Sequence, residues 1–92
     1  MRIALTERFQ RDVRALSKDL RATVFEVILV LPRTVGDAHL HTGLGMRKLH
    51  ASGIWEVRIG QSLRLVFTLE PQVLTLVRVG THDDVRRFLR EL

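Results

Sequence analysis

The 92-residue chain has no cysteine. Disulfides and thiolate metal sites are therefore excluded, and with them a secreted disulfide scaffold. Long apolar runs are missing as well. The longest, Val27 to Leu31, is far short of the about 20 residues that a membrane-spanning helix needs. Arg2, Glu7 and Arg8 interrupt the region where a signal peptide would be apolar, so a cytoplasmic location without a membrane partner is expected. Repeats, low-complexity segments and linkers are also lacking, and the length suits a single domain, 1–92, with one core.

What is abundant is positive charge. Fifteen lysines and arginines against ten acidic residues give a net charge of +5 and a pI of about 11.3. A small domain this basic points to a polyanionic partner, either nucleic acid or an acidic protein. Charge alone does not choose between them.

The stretch that organises the rest is Trp55–Phe67, WEVRIGQSLRLVF. Trp55, Val57 and Ile59 alternate with Glu56 and Arg58; after a turn, Leu63, Leu65, Phe67 and Leu69 alternate with Arg64, Val66 and Thr68. Alternation with period 2 marks half-buried strands. A two-residue loop would pair Ile59 with Ser62 and bury Arg64. A three-residue loop, Gly60 to Ser62, pairs Ile59 with Leu63, Val57 with Leu65 and Trp55 with Phe67, keeping every large apolar side chain on one face. The second register is expected, and it sets Arg58 opposite Arg64. A further strand, Val73 to Val79, is expected after a second three-residue turn, Glu70 to Gln72. Val73, Thr75, Val77 and Val79 would then join the apolar face, and Arg78 would stand opposite Arg64. A row of Arg58, Arg64 and Arg78 would break the rule that like charges avoid facing one another across a sheet. Such a violation is a mark of a functional site.

Around this hairpin the chain reads as α+β. Residues 2–5 form a short first strand, and Thr6 caps a helix whose apolar stripe is Phe9, Val13 and Leu16. Ser17 or Asp19 caps a second helix, Leu20 to about Leu31. Being apolar nearly all round, it should be the most buried, and Pro32 should end it. The two helices form an antiparallel pair over the greasy face of a twisted, mainly antiparallel sheet of four to five strands. Residues 33–46 break the periodicity with Gly36, Gly43 and Gly45, and their length invites a functional role. Asp37, His39 and His41 have ligand chemistry, but their spacing matches no strong metal signature. Arg47 to His50 resume as a short strand. Thr81 and Asp84 have the spacing of a capping box for a short last helix with Val85, Phe88, Leu89 and Leu92 on its apolar face.

His82 falls in the first turn of that helix. The positive end of the helix dipole disfavours imidazolium there, and its free N–H groups attract anions. A neutral imidazole beside arginines is the equipment for phosphodiester cleavage, in which one group takes a proton, another donates one, and cations stabilise the pentacoordinate phosphate. In RNA the 2′-hydroxyl is the attacking group, so no metal or other cofactor is required. His50, with Lys48 two residues back on the same side of its strand, is a candidate for the second proton transfer. Glu56 could serve as base instead, or hold Arg58 or Arg78 in place. Phe88 either packs in the core or offers a ring to a base.

The order strand, two helices, antiparallel strands and short helix, with RKLHASGIWEVRIG, RLVF and VGTHDDV in place, resembles the RelE/ParE toxin superfamily over nearly the whole chain. The resemblance implies a bacterial type II toxin held inactive by a cognate antitoxin, reaching operator DNA only through that antitoxin. RelE-like members cut mRNA in the ribosomal A site without metal, by 2′-hydroxyl attack. On that pattern Arg64, of the RLVF strand, contacts the scissile phosphate. Arg58 is the basic residue of the preceding strand, and His82 is the histidine after the last one. Arg47, Lys48 and His50 fall in a basic segment that carries further catalytic or RNA contacts. One departure is that many members carry a tyrosine near the C-terminus, whereas this chain has none; Phe88 stands roughly there and cannot transfer a proton. ParE-like members poison DNA gyrase instead, and a toxin fold without activity could act as a co-repressor. The histidines and the basic row favour the ribonuclease branch.

Overall fold

Each helix starts at a hydroxyl that the sequence supplies. Thr6 accepts a hydrogen bond from the Phe9 N–H at 3.1 Å, Ser17 from that of Leu20 at 3.3 Å, and Thr81 from that of Asp84 at 3.1 Å. Side-chain oxygens here satisfy donors that no helical carbonyl can reach. The computed structural model describes residues 1–36, 45–50 and 53–92. Its elements are β1 (Arg2–Leu5), α1 (Glu7–Arg14), α2 (Lys18–Thr34), β2 (Arg47–His50), β3 (Ile54–Ile59), β4 (Leu63–Glu70), β5 (Val73–Thr81) and α3 (His82–Arg90). One five-stranded sheet runs in the order β1-β5-β4-β3-β2, with β1 parallel to β5 and the other pairs antiparallel. Among the described residues no helix is long and apolar enough to cross a membrane.

The two faces of the sheet are covered differently. Phe9 and Val13 of α1 and Val24, Ile28 and Leu31 of α2 close over Val57, Ile59, Leu63, Leu65 and Phe67, the apolar side of the hairpin. On the opposite face Val85 of α3 packs on Ile54 and Val66, with Val77, Phe88 and Leu89 at the border. This second cluster covers one end of its face only. The other end carries Glu56, Arg58 and Arg64.

The β3–β4 register is the expected one: Ile59 pairs with Leu63, Val57 with Leu65, Trp55 with Phe67 and Arg58 with Arg64. Gly60 opens the loop at φ +61°, a left-handed value that suits glycine. The β4–β5 register is not the expected one. Its turn has two residues, Pro71 and Gln72, because Glu70 pairs with Val73. Leu74 and Leu76, rather than Val73 and Thr75, therefore enter the apolar face. A bulge at Val77 then restores the original parity, so Val79 is buried opposite Leu65 as its face requires. The net result is a slip of two residues: Arg78 stands opposite Val66, and Gly80 opposite Arg64.

Two expectations for α2 are corrected. Pro32 does not end it; the helix runs on to Thr34, and the Val35 N–H reaches back to the Leu31 carbonyl at 2.9 Å. Proline near a helix end removes one donor without unwinding the turn beyond it. Nor is α2 buried all round. Val24 and Leu31 are fully enclosed, but Leu29 is 80% exposed and Phe25 48%.

The outer edge of β5 has two partners. β1 pairs with it only as far as Leu76. Beyond that, Thr6 donates its hydroxyl to the carbonyls of Leu76 and Val77, both at 3.2 Å. One carboxylate oxygen of Asp12 accepts from the Val79 N–H at 3.1 Å and from Nε of Arg78 at 2.8 Å. The N-cap of α1 and its Asp12 thus complete the edge that β1 leaves open.

Candidate functional site

Arg58 and Arg64 face one another across β3 and β4, on the face that α3 leaves partly bare. Glu56 is the next residue of β3 on that face, and it is buried, 3% exposed. A buried carboxylate needs partners that match its charge. One of its oxygens forms an ion pair with Nε of Arg64 at 2.8 Å, and the other accepts from Nε of Arg47 at 3.1 Å. Arg47 reaches it from the neighbouring strand, where it pairs with Glu56 in register. Arg64 is held a second time, through Nη1 to the carbonyl of Leu63 at 3.3 Å. Arg58 is exposed and forms no ion pair among the described residues. Gly45, Arg47, Glu56, Arg58 and Arg64 enclose a depression of about 150 Å³. Three guanidiniums against one carboxylate leave it a surplus of two positive charges. Such a pocket suits an anion small enough to meet two guanidiniums at once.

Gly80 and α3 complete the row on its other side. Gly80 pairs with Arg64 and Thr81 with Leu63, so His82, the first residue of α3, leaves the sheet at the end where the two arginines stand. His82 is exposed. Its place is fixed by a full capping box: Asp84 accepts from the Thr81 N–H at 2.9 Å, and Thr81 accepts from the Asp84 N–H. The hydrogen bonds from the Thr81 backbone and side chain hold the Asp84 carboxyl below its usual value, with smaller help from Arg78 and Arg87. Glycine at 80 is required by this box, since a Cβ there would lie 2.8 Å from the Asp84 carboxylate and 2.9 Å from its Cβ.

Of the residues expected at the site, the fold gathers Arg58, Arg64, Arg47 and Glu56, and it sets His82 beyond Gly80 at the same end of the sheet. Four expectations are corrected. Arg78 does not extend the arginine row: it lies one pleat, about 7 Å, further along the sheet, paired to Asp12. Glu56 holds Arg64 and Arg47, not Arg58 or Arg78. The regular ladder expected from Lys48 to His50 is broken. The ladder shifts between them, so Lys48 pairs with Trp55, on the face of the helix pair, while His50 pairs with Ile54. His50 also stands at the far end of β3 from Arg58, about 13 Å along the strand. Phe88 is half-buried against the Ile54–Val66–Val85 cluster and lines a separate groove of about 510 Å³ with Thr6, Arg8, Val77 and Arg78. Asp37, His39 and His41 lie outside the described residues, and among the described residues no three metal-ligating side chains are grouped. Asp12 was not foreseen as a partner; the one signal for it is a carboxylate set between Arg11 and Val13 in an otherwise basic helix face.

A helix pair on one face of this sheet and a terminal helix opening at the His82 corner give the chain the fold of the RelE/ParE-like toxins. The YafQ toxin of Escherichia coli superposes with a TM-score of 0.75 at 19% identity, over 92% of this chain and 98% of YafQ. The YoeB/ParE toxin of Agrobacterium tumefaciens gives 0.71 at 20% identity, over 89% and 99%. RelE in the archaeal RelE–RelB complex of Pyrococcus horikoshii gives 0.70 at 14% identity, over 87% and 92%. No protein-family model matches the sequence, and no curated protein matches it significantly.

Proposed function

We propose that the chain is the toxin of a type II toxin–antitoxin pair and an endoribonuclease that cuts mRNA in the ribosomal A site without a metal ion. The observation that carries this is the facing pair Arg58–Arg64 on an open sheet face, with His82 presented by a rigid cap at the same end. The scissile phosphate sits against the two guanidiniums. The 2′-hydroxyl oxygen attacks phosphorus and loses its proton, and the bond from phosphorus to the 5′-oxygen breaks as that oxygen is protonated. The products are a 2′,3′-cyclic phosphate and a 5′-hydroxyl. Arg58 and Arg64 balance the charge that grows on the non-bridging oxygens, where fixed cations have most effect. His82 carries the proton at one of the two reacting oxygens.

A cognate antitoxin belongs to the same proposal, since DinJ–YafQ and RelE–RelB are solved as complexes. An acidic or amphipathic segment suits a chain of charge +5. Inducible expression with mapping of mRNA 5′ ends tests the activity. Arg64→Ala and His82→Gln are each expected to abolish growth inhibition and cleavage while antitoxin binding persists. Full toxicity in both variants would show the site to be misassigned. Intact mRNA with relaxed or broken plasmid would replace the ribonuclease with a gyrase poison, and harmless expression would leave only a co-repressor.

A further inference from the structure

We infer that Glu56 is a positioning residue for cleavage: a buried carboxylate that clamps Arg64 so that its remaining nitrogen, Nη2, is fixed toward the phosphate. This rests on the ribonuclease proposal above. An arginine on an open sheet face ordinarily samples many rotamers, and ordering it against substrate costs free energy at each encounter. Arg64 is already ordered. Its Nε is bound to Glu56 at 2.8 Å and its Nη1 to the Leu63 carbonyl at 3.3 Å, and its side chain is only 18% exposed. The tethers hold Nε and Nη1, which lie on different edges of the guanidinium plane, and Nη2 is the nitrogen that neither engages. Arg58, the partner opposite, has no such clamp among the described residues. The two arginines therefore divide the work: Arg64 is a preset donor, and Arg58 an adjustable one.

The same geometry argues against Glu56 as the general base. One oxygen is held by Arg64 and the other by Arg47, and the residue is 3% exposed, so burial keeps its remaining lone pairs from a substrate hydroxyl at the surface. Arg47 is the outer support. It is 66% exposed as a side chain and holds the second carboxylate oxygen, which keeps the first turned toward Arg64. Removing Arg47 should accordingly do much less than removing Glu56.

The test uses the isosteric variant Glu56→Gln, with Glu56→Asp and Arg47→Ala beside it, in single-turnover cleavage of mRNA on programmed ribosomes. Glu56→Gln is expected to lower the cleavage rate about 100-fold, the scale set by misplacing one catalytic group. Its affinity for the same ribosomes should be unchanged or tighter, because a negative charge has been removed. Glu56→Asp should recover part of the rate, and Arg47→Ala should lose less of it than Glu56→Gln does. Independently of activity, the Arg64 Nε–H resonance should be protected from solvent exchange in the wild type and lose that protection in Glu56→Gln. Cleavage by Glu56→Gln at the wild-type rate, rate and affinity falling together, or an unprotected Arg64 in the wild type would each overturn the inference. A wild-type chain that cleaves no RNA would instead remove the ribonuclease proposal, and this inference with it.

Discussion

Individual residues in this chain take their meaning from the carboxylates beside them. Arg64 and Arg78 lie on the same face of the sheet, yet one borders an open depression and the other is bound to Asp12. Sequence alone ranked them as equals, because a strand pattern gives the face of a side chain but not its ion-pair partner. Asp84 is the carboxylate whose titration can be followed. Its folded value is depressed by the hydrogen bonds from Thr81, so the stabilisation it gives is complete above the ordinary aspartate range and is lost as pH falls through the folded value. Asp84→Ala should therefore lower stability at neutral pH, by about 0.5–1 kcal/mol for an exposed capping bond. The gap to the wild type should begin to narrow below about pH 4, near the unfolded aspartate value, and go on narrowing toward the lower folded value. Urea titrations at pH 7 and pH 3 measure both; a gap that stays constant would assign the loss to packing over Gly80 rather than to the carboxylate.

At the level of elements, the hairpin β3–β4 was legible in full and the next strand only in part. For the hairpin, loop length and apolar alternation demand the same register, and a one-residue error would bury an arginine. For β5 the residues Val73, Leu74, Thr75, Leu76, Val77 and Val79 offer apolar or neutral side chains at both parities, so either choice keeps a greasy face. Nothing in that run announces a bulge, and the bulge is what moves Gly80 opposite Arg64. The helix α2 misleads for a similar reason, since an element apolar on most sides does not say which side meets the sheet. Two neighbouring leucines show the difference. Leu31→Ala should cost about 2–5 kcal/mol, as for a fully enclosed core leucine, whereas Leu29→Ala should stay within about 0.5 kcal/mol. Denaturant midpoints for the two variants check this, and equal losses would mean that the outer side of α2 is covered in solution.

Taken whole, the molecule keeps two of its acidic side chains off its basic surfaces. α1 carries Arg8, Arg11 and Arg14, and the bare end of the sheet carries Arg47, Arg58 and Arg64, while Asp12 and Glu56 are turned inward to specific partners. The excess that remains for a polyanion is thus outward-facing. Affinity for RNA should fall linearly in log–log terms with added salt, and Arg58→Ala should reduce the slope by about 0.7 for a single-stranded ligand. A slope unchanged by that substitution would take Arg58 out of contact with phosphate.

The last strand of the sheet is nine residues long and its parallel neighbour only four, and the difference is made up by a threonine hydroxyl and an aspartate from the following helix. The border of the sheet is therefore sealed by one short continuous run of the chain. Were that run, residues 1–12, to peel away, both seals would open together, exposing a long ribbon of unsatisfied amides on which a second molecule could lay a strand of its own.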